Sequence, residues 1–339
     1  MLRHCFIFCI LHFAFCIFLS SCSKQAPERP KLHFETEARC PITPVKSQGS
    51  SSSCWIYAML ATIESNRIAM GDSVNLSAVY FDRMLITEQA EAVFMNKGNG
   101  TIKTRGMMPH LMTLLDRYGV LAEDSYHRRN DNLNFRVLVR EVELLAHNAA
   151  TNGLGYQKFK SDLNSLLDKE ISFLPNKQFM LGAEYSPEEF GHSIARVGDY
   201  EFLGADYAFP DRRESDVIQS VEPDSLLELT EKCIRAGKAV CWEGDTSEPG
   251  YDWANGVADV AADRETILKN YHKDIETFKT TDDHCLEICG IAHDSAGRKF
   301  FICKNSWGAS NRFGGLIFMS FEYFLAKTIL IGKPTELDT

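Results

Sequence analysis

The chain has 339 residues, 45% of them hydrophobic and 24% charged, and a formal net charge of −10 at pH 7. These are the proportions of an ordinary globular protein with a full core, long enough for one large domain or two smaller ones. The acidic balance, with no basic patch interleaved with aromatics, argues against a nucleic-acid partner.

Leu2 to Leu19 is an almost unbroken apolar run behind Arg3 and reads as a secretion signal. It ends in Leu19-Ser20-Ser21-Cys22, which resembles the lipobox of bacterial lipoproteins. That resemblance implies cleavage before Cys22 and a lipid on its thiol; an uncleaved membrane anchor is the alternative. The expected organisation is a signal over 1–21, a polar tether over 22–40 with Pro27 and Pro30, and a domain over 41–339. The protein is expected to be exported and held at a bacterial membrane, on the periplasmic or cell-surface side.

The central stretch is Gln48-Gly49-Ser50-Ser51-Ser52-Ser53-Cys54-Trp55. Beyond it Ile56, Met59, Leu60 and Ile63 recur at the spacing of a helix with one buried face, with serines to cap it and Gly71 to stop it. Cys54 thus falls in the first helical turn, where free N–H groups and the positive end of the macrodipole favour a thiolate. Gln48, six residues upstream, is close enough to offer its amide to an oxyanion. Ser77 is expected to cap a second helix to about Met95, and Pro109 to open a third that ends at Tyr118-Gly119. From about 126 to 224 the pattern is that of a helical insertion. It holds amphipathic stretches at Leu133–His147 and Ser161–Ile171 and a strong helix start at Ser186-Pro187-Glu188-Glu189. A helix over Pro223–Ala236 then leads into a strand at Lys238–Trp242.

The last third is β-rich. His284–Ala292 and Phe300–Lys304 read as the two strands of a hairpin around Gly297, and Gly314–Met319 as a further strand. Antiparallel pairing brings His284, at the start of one strand, to Asn305, just past the end of the other. A cysteine nucleophile needs a base, and the base an orienting partner, so Cys54, His284 and Asn305 form a candidate set. Trp307 can shield the His284–Asn305 contact from water.

The remaining cysteines suggest two other readings. Cys40, Cys233, Cys241, Cys285, Cys289 and Cys303 are an even number that permits bridges in an exported chain, without fixing their connectivity. His284, Cys285, Cys289 and His293 have metal-like spacing. On a strand, however, Cys285 and Cys289 stand ~13 Å apart at ~3.3 Å per residue, whereas zinc ligands each lie within ~2.3 Å of one ion. No metal or other cofactor is expected.

Gln48, Cys54-Trp55, Asp283-His284 and Asn305-Ser306-Trp307-Gly308 together resemble the papain superfamily of cysteine peptidases. Within it, Leu76–Phe81, Tyr185–Phe190, Ala236–Trp242 and Met319–Phe324 resemble the bleomycin hydrolase/aminopeptidase C branch. The resemblance covers roughly Pro44 to Ile331. It implies an α+β, papain-like fold: a helical half with Cys54, a β-barrel half with His284 and Asn305, and the cleft between them. It also implies that Gln48 and the Cys54 N–H hold the oxyanion, that Cys54 attacks, that His284 shuttles the proton and that Asn305 orients it. Arg105, Gly106, Asp283 and Trp307 are the residues expected along the substrate. Two positions depart from the family pattern. Ser52 replaces a glycine two residues before the cysteine, and Arg105-Gly106 replaces the paired glycines of the cleft.

The expected activity is hydrolysis of peptides or proteins through a thioester acyl-enzyme. The alternatives are a non-catalytic tethered binding protein of the same fold and an amide acyltransferase using the same residues. In the branch resembled, a C-terminal arm plugs the cleft and makes the enzymes aminopeptidases. Here the last strand is expected to end near Ile331, and Gly332–Thr339 is short for a plug. Some endopeptidase activity is expected, with aminopeptidase activity second.

Overall fold

The computed structural model describes residues 32–130 and 132–336. The expected signal over 1–21, the lipid-bearing Cys22 and most of the expected tether lie outside the described residues. No helix among the described residues is long and apolar enough to cross a membrane.

The axis of the fold is α1 (Cys54–Ala69), 16 residues long and buried without a break from Trp55 to Asn66. The apolar spacing predicts one buried face, yet the whole circumference is enclosed, because the polar residues among them have internal partners. Glu64 accepts from Lys46 Nζ at 2.7 Å, from the Leu76 N–H at 2.6 Å and from Thr43 Oγ1. Ser65 donates to Glu287, and Lys304 Nζ reaches Thr43 Oγ1 at 2.8 Å and Glu287 Oε2 at 3.6 Å. Asn66 exchanges two bonds with the Ala239 backbone, at 2.7 and 3.1 Å. These contacts make a buried polar seam between α1, the segment before it and the sheet.

On one side lies the helical half. α2 (Ala78–Met95) is capped by Ser77, whose Oγ accepts from the Tyr80 N–H at 3.1 Å. α3 (Pro109–Tyr118) has proline at its first position. α4 (Phe135–Thr151) and α5 (Tyr156–Glu170) join the same hydrophobic core. α6 (Pro187–Ile194) starts on the expected capping box, Ser186 with Glu189. The region from 126 is therefore helical as far as Ile194 except for a short hairpin over 178–185, and beyond Ile194 it contributes strands before the next helix.

On the other side is a 10-stranded sheet. In chain order its strands are β1 (Phe34–Arg39), β4 (Tyr200–Gly204), β5 (Gln219–Ser220), β6 (Val240–Gly244), β7 (Tyr251–Asp252), β8 (Val257–Ala258), β9 (His284–Asp294), β10 (Lys299–Lys304), β11 (Leu316–Ser320) and β12 (Thr328–Pro334). A separate hairpin is made by β2 (Gln178–Met180) and β3 (Ala183–Tyr185). The strand order is β5-β4-β12-β6-β9-β10-β11-β8-β7, with β1 added on β9. The expected barrel is thus an open path of strands, with no pairing of β5 to β7 among the described residues. Alternate side chains of β9 go to opposite cores: Cys285 packs with the helical half, Leu286 and Ile288 with the far face. That far face is covered by α7 (Pro223–Arg235), α8 (Arg264–Glu276) and α9 (Phe321–Lys327).

Two boundaries differ from the sequence reading. The polar tether expected over 22–40 ends earlier, because Phe34–Arg39 pairs antiparallel with the second half of β9. Phe34 anchors it by stacking on Phe318 with ring centroids 4.0 Å apart. The last strand also continues past Ile331 to Pro334, pairing with β4. Gly332 looks like a terminator but is needed inside the strand: a Cβ there would meet Met108 Sδ at 2.9 Å and Phe202 Cε1 at 3.0 Å. The seven described cysteines, Cys40, Cys54, Cys233, Cys241, Cys285, Cys289 and Cys303, are all free thiols.

Candidate active site

The helix start and the hairpin end meet in one place. Cys54 is the first residue of α1 after Ser53 and is only half-buried. Its N–H belongs to the first-turn donors that have no acceptor within the helix. The His284 ring hydrogen-bonds to the Cys54 thiol. The other face of the problem, how that ring is held, is solved by Asn305: Oδ1 accepts from His284 Nε2 at 2.8 Å. Nε2 therefore carries the hydrogen, and Nδ1 is the nitrogen left for Cys54.

Asn305 is itself fixed. Its Nδ2 donates to Tyr251 Oη at 2.9 Å, and its Oδ1 also accepts the Ser306 N–H at 2.6 Å. The Trp307 ring lies 4.6 Å from the imidazole, tilted by 37°, and covers one side of it. Tyr251 and Trp253 pack edge-on against Trp307 at 5.8 and 5.3 Å.

Gln48 is buried and bound on both ends of its amide. Nε2 donates to the Ser51 carbonyl at 2.9 Å, and Oε1 accepts from Ser306 Oγ at 2.6 Å. Its backbone N–H also donates to the Ser306 carbonyl, at 2.8 Å. The amide orientation is thereby set, leaving one Nε2 hydrogen unassigned near the start of α1.

The charge state follows from these contacts. Hydrogen bonds from Cys285 and from His284, together with the imidazolium charge, hold the Cys54 thiol well below its ordinary pKa despite burial. Burial opposes the charged imidazole, but the Cys54 contact and the bond to Asn305 outweigh it and raise the His284 pKa. The two groups favour the thiolate–imidazolium pair.

The four residues expected along the substrate divide. Gly106 lies flat against the indole of Trp55, where an added Cβ would meet Cε2 and Cζ2 at 2.9 Å. Trp55 Nε1 is fixed to the Thr104 carbonyl at 3.0 Å. Arg105 crosses to the sheet side, donating to Asp211 Oδ2 at 2.6 Å and to the Asp282 carbonyl at 2.8 Å. The Asp283 carboxylate is engaged by the backbone, accepting from the Thr246 N–H at 2.8 Å and the Ser247 N–H at 3.2 Å. It holds the turn after β6. Ser52 is accommodated without a left-handed backbone, and its N–H donates to Thr104 Oγ1 at 3.2 Å.

Sequence reasoning missed Tyr251, Ser306 as the partner of Gln48, and Cys285 as the partner of Cys54. Each contact joins segments far apart in the chain, so no local pattern announces it. Glu243 is a further surprise: it is wholly buried on β6, takes the Met108 N–H at 3.1 Å, and burial followed by nearby Asp282 pushes its pKa well up.

No family model matches the sequence. The structure is similar to a crystal structure of PepW from Lactobacillus rhamnosis, with a TM-score of 0.69, 15% identity, and coverage of 90% of this chain and 83% of that one. A bromelain protease from Ananas comosus, in complex with the E64 inhibitor, overlaps 87% of this chain and 94% of its own at 15% identity and a TM-score of 0.42. In sequence, the chain is 29% identical to the thiol protease SEN102 of Hemerocallis over 98 residues, 29% of this chain. That match spans about a quarter of the relative's length, 24%. The chain has the papain-like fold.

Proposed function

We propose that this protein is a papain-like cysteine peptidase that cleaves peptide bonds through a thioester acyl-enzyme. The observation that carries the reading is the Cys54–His284–Asn305 chain of contacts at the start of α1, with the sulfur held toward thiolate. In this reading the Cys54 thiolate attacks the scissile carbonyl carbon. The resulting oxyanion is received by the Cys54 N–H and the free Nε2 hydrogen of Gln48. The His284 imidazolium gives its proton to the leaving amine, and the neutral ring then takes one from the water that opens the thioester. Asn305 keeps the ring in the plane that serves both steps, and Trp307 keeps water from competing for that bond.

The substrate is a peptide or protein chain passing over Gly106, with Trp55 beneath it and Arg105 narrowing the cleft. The last described strand leads away from the cleft. β12 starts beside the His284 end of the sheet and runs away from it, and Pro334, Thr335 and Glu336 lie by Asn66, Arg67 and Met70, at the far end of α1. That end is about 22 Å from Cys54 at 1.5 Å per residue. The apolar run before Cys22, with its lipobox-like end, supports export and membrane attachment through a lipid on Cys22.

The test is labelling by a thiol-directed epoxide combined with product analysis. One equivalent is expected on Cys54, with loss of cleavage of peptides whether their N-termini are free or acetylated. Cys54→Ala is expected to abolish cleavage and leave the melting temperature nearly unchanged. Cleavage by Cys54→Ala within tenfold of the wild type would remove the nucleophile assignment, and amide products formed with added amines would point to acyl transfer instead.

A further inference from the structure

The nucleophilic cysteine has a second thiol against it. Cys285 follows His284 on β9, faces the helix side of the sheet in the same core that Cys54 packs against, and lines a small cavity with Asn305 and with Ala58, one turn of α1 on from Cys54. The two are the reverse of each other chemically. Cys54 is half-exposed at a helix start beside an imidazole, while Cys285 is 2% exposed among apolar side chains. We infer that Cys54 and Cys285 form a reversible oxidation site, in which Cys285 resolves the sulfenic acid that a hydroperoxide makes on Cys54. This goes beyond the peptidase reading and does not need it, because it concerns the sulfurs alone.

The chemistry balances. The Cys54 thiolate attacks one peroxide oxygen, the O–O bond breaks, and hydroxide (or the alkoxide of an organic peroxide) leaves and takes the proton of the His284 imidazolium. Cys54 now carries S–OH and has been oxidised by two electrons. The Cys285 sulfur attacks the Cys54 sulfur, its proton goes to the departing hydroxyl, and water leaves as the S–S bond forms. Two thiols and one hydroperoxide have become a disulfide and two molecules of water, or of water and alcohol. A small-molecule thiol reverses the step by exchange.

The placement suits this order of events. Peroxide reaches Cys54 first, since only that sulfur borders the cleft. Burial keeps Cys285 protonated and unreactive until a sulfenic sulfur is presented to it. The bond to be made is about 2.05 Å long and joins residues of α1 and β9 that pack against one core. Without a resolving thiol, a sulfenic acid in this position goes on to sulfinic acid, which thiols do not reduce. Cys241 is also buried on the helix side of the sheet and is the competing partner.

The experiment uses the full chain, reduced, then exposed to hydrogen peroxide and alkylated before non-reducing digestion and mass spectrometry. The expected product is a linked pair of peptides containing Cys54 and Cys285, two hydrogens lighter than their sum and lost on treatment with dithiothreitol. The thiol titre at Cys54 should then return in full. In both Cys285→Ser and Cys285→Ala the expected product is Cys54 sulfinic acid that dithiothreitol does not recover, with dimedone trapping the sulfenic acid on the way. Cys54 sulfinic acid beside a free Cys285 in the wild type, or a Cys54–Cys241 link, would overturn the assignment. All of these readouts stand whether or not the protein cleaves peptides.

Discussion

Ser306 Oγ donates a 2.6 Å hydrogen bond to Gln48 Oε1, across 258 residues of chain. The residue after the one that orients the imidazole therefore orients the amide proposed to receive the oxyanion. An amide can turn over by 180°, and in the wrong orientation Gln48 would present a carbonyl oxygen to a developing negative charge. The Ser51 carbonyl, which can only accept, sets the amide the right way round, and Ser306 holds its oxygen end in place.

From this follows a prediction for Ser306→Ala. Turnover is expected to fall by about tenfold or more with fold stability little changed, approaching the 10²–10³ loss typical of deleting an oxyanion donor outright, as in Gln48→Ala. Steady-state kinetics on a fluorogenic peptide measure both, and equal kcat/KM in wild type and Ser306→Ala would detach the two residues.

The pH dependence is set by opposite shifts. The Cys54 pKa is lowered, first by the Cys285 bond and then by His284, while the His284 pKa is raised by its contacts with Cys54 and Asn305 against burial. Rate is expected to be lost on the acid side as the thiolate is protonated, at a pH below the ordinary thiol range. On the alkaline side it is lost as the imidazolium deprotonates, above the ordinary imidazole range. Asn305→Ala should bring the alkaline limb to lower pH as well as slow the reaction. A kcat/KM profile rising steadily across the neutral range would contradict the pair.

For Gly106→Ala, the added methyl meets the Trp55 indole at 2.9 Å, and the ring is the covalent neighbour of Cys54. Overpacking of this kind costs about 1–3 kcal/mol. The expected outcome is a lower melting temperature, a shifted indole emission and reduced kcat/KM. Unchanged emission and kinetics would mean the loop around Gly106 yields instead.

Asp82 sits buried on α2, and burial raises its pKa to about 7 against the opposing pull of Ser53 and Arg128. Because the folded state holds this proton more tightly than the unfolded chain, its contribution is fully present below the ordinary carboxylate pKa of about 3.9. It is then lost as pH rises toward about 7. Asp82→Asn is expected to raise stability at pH 8 by up to about 4 kcal/mol, and to change little at pH 4. Thermal melts across that range check the sign, and an equal shift at both ends would assign the effect to packing.

Much of the site is legible in the sequence because each of its pieces is local. A glutamine before a cysteine at a helix start, and a histidine and an asparagine at the two ends of one hairpin, need only short-range reasoning to be brought together, although Ser53 at that start makes no side-chain cap. The helix starts at Ser77 and Ser186 are legible for the same reason, since a cap and its partner lie three residues apart. What escapes is made by distant pairing. Phe34–Arg39 is a polar, alternating segment that reads as tether until β9 supplies its partner. The two-residue strands β5, β7 and β8 have no pattern of their own and exist only through their neighbours. Asp283 looks like a substrate residue by its place beside His284, but two backbone N–H groups claim its carboxylate.

The buried seam of Thr43, Lys46, Glu64, Glu287 and Lys304 governs how the molecule can come apart. Pulling α1 from the sheet would break the Ser65–Glu287 bond and the Thr43 link between Glu64 and Lys304, leaving buried polar groups without partners at a cost of about 1–3 kcal/mol each. The two halves are therefore bolted rather than hinged, and domain closure of the clamshell kind is closed to this chain. Heat or urea should take the described fold apart in one cooperative transition. With that seam intact the cleft is expected to keep its width, so an incoming chain would have to fit it, and under the peptidase reading already unfolded segments are expected to be the ones cut.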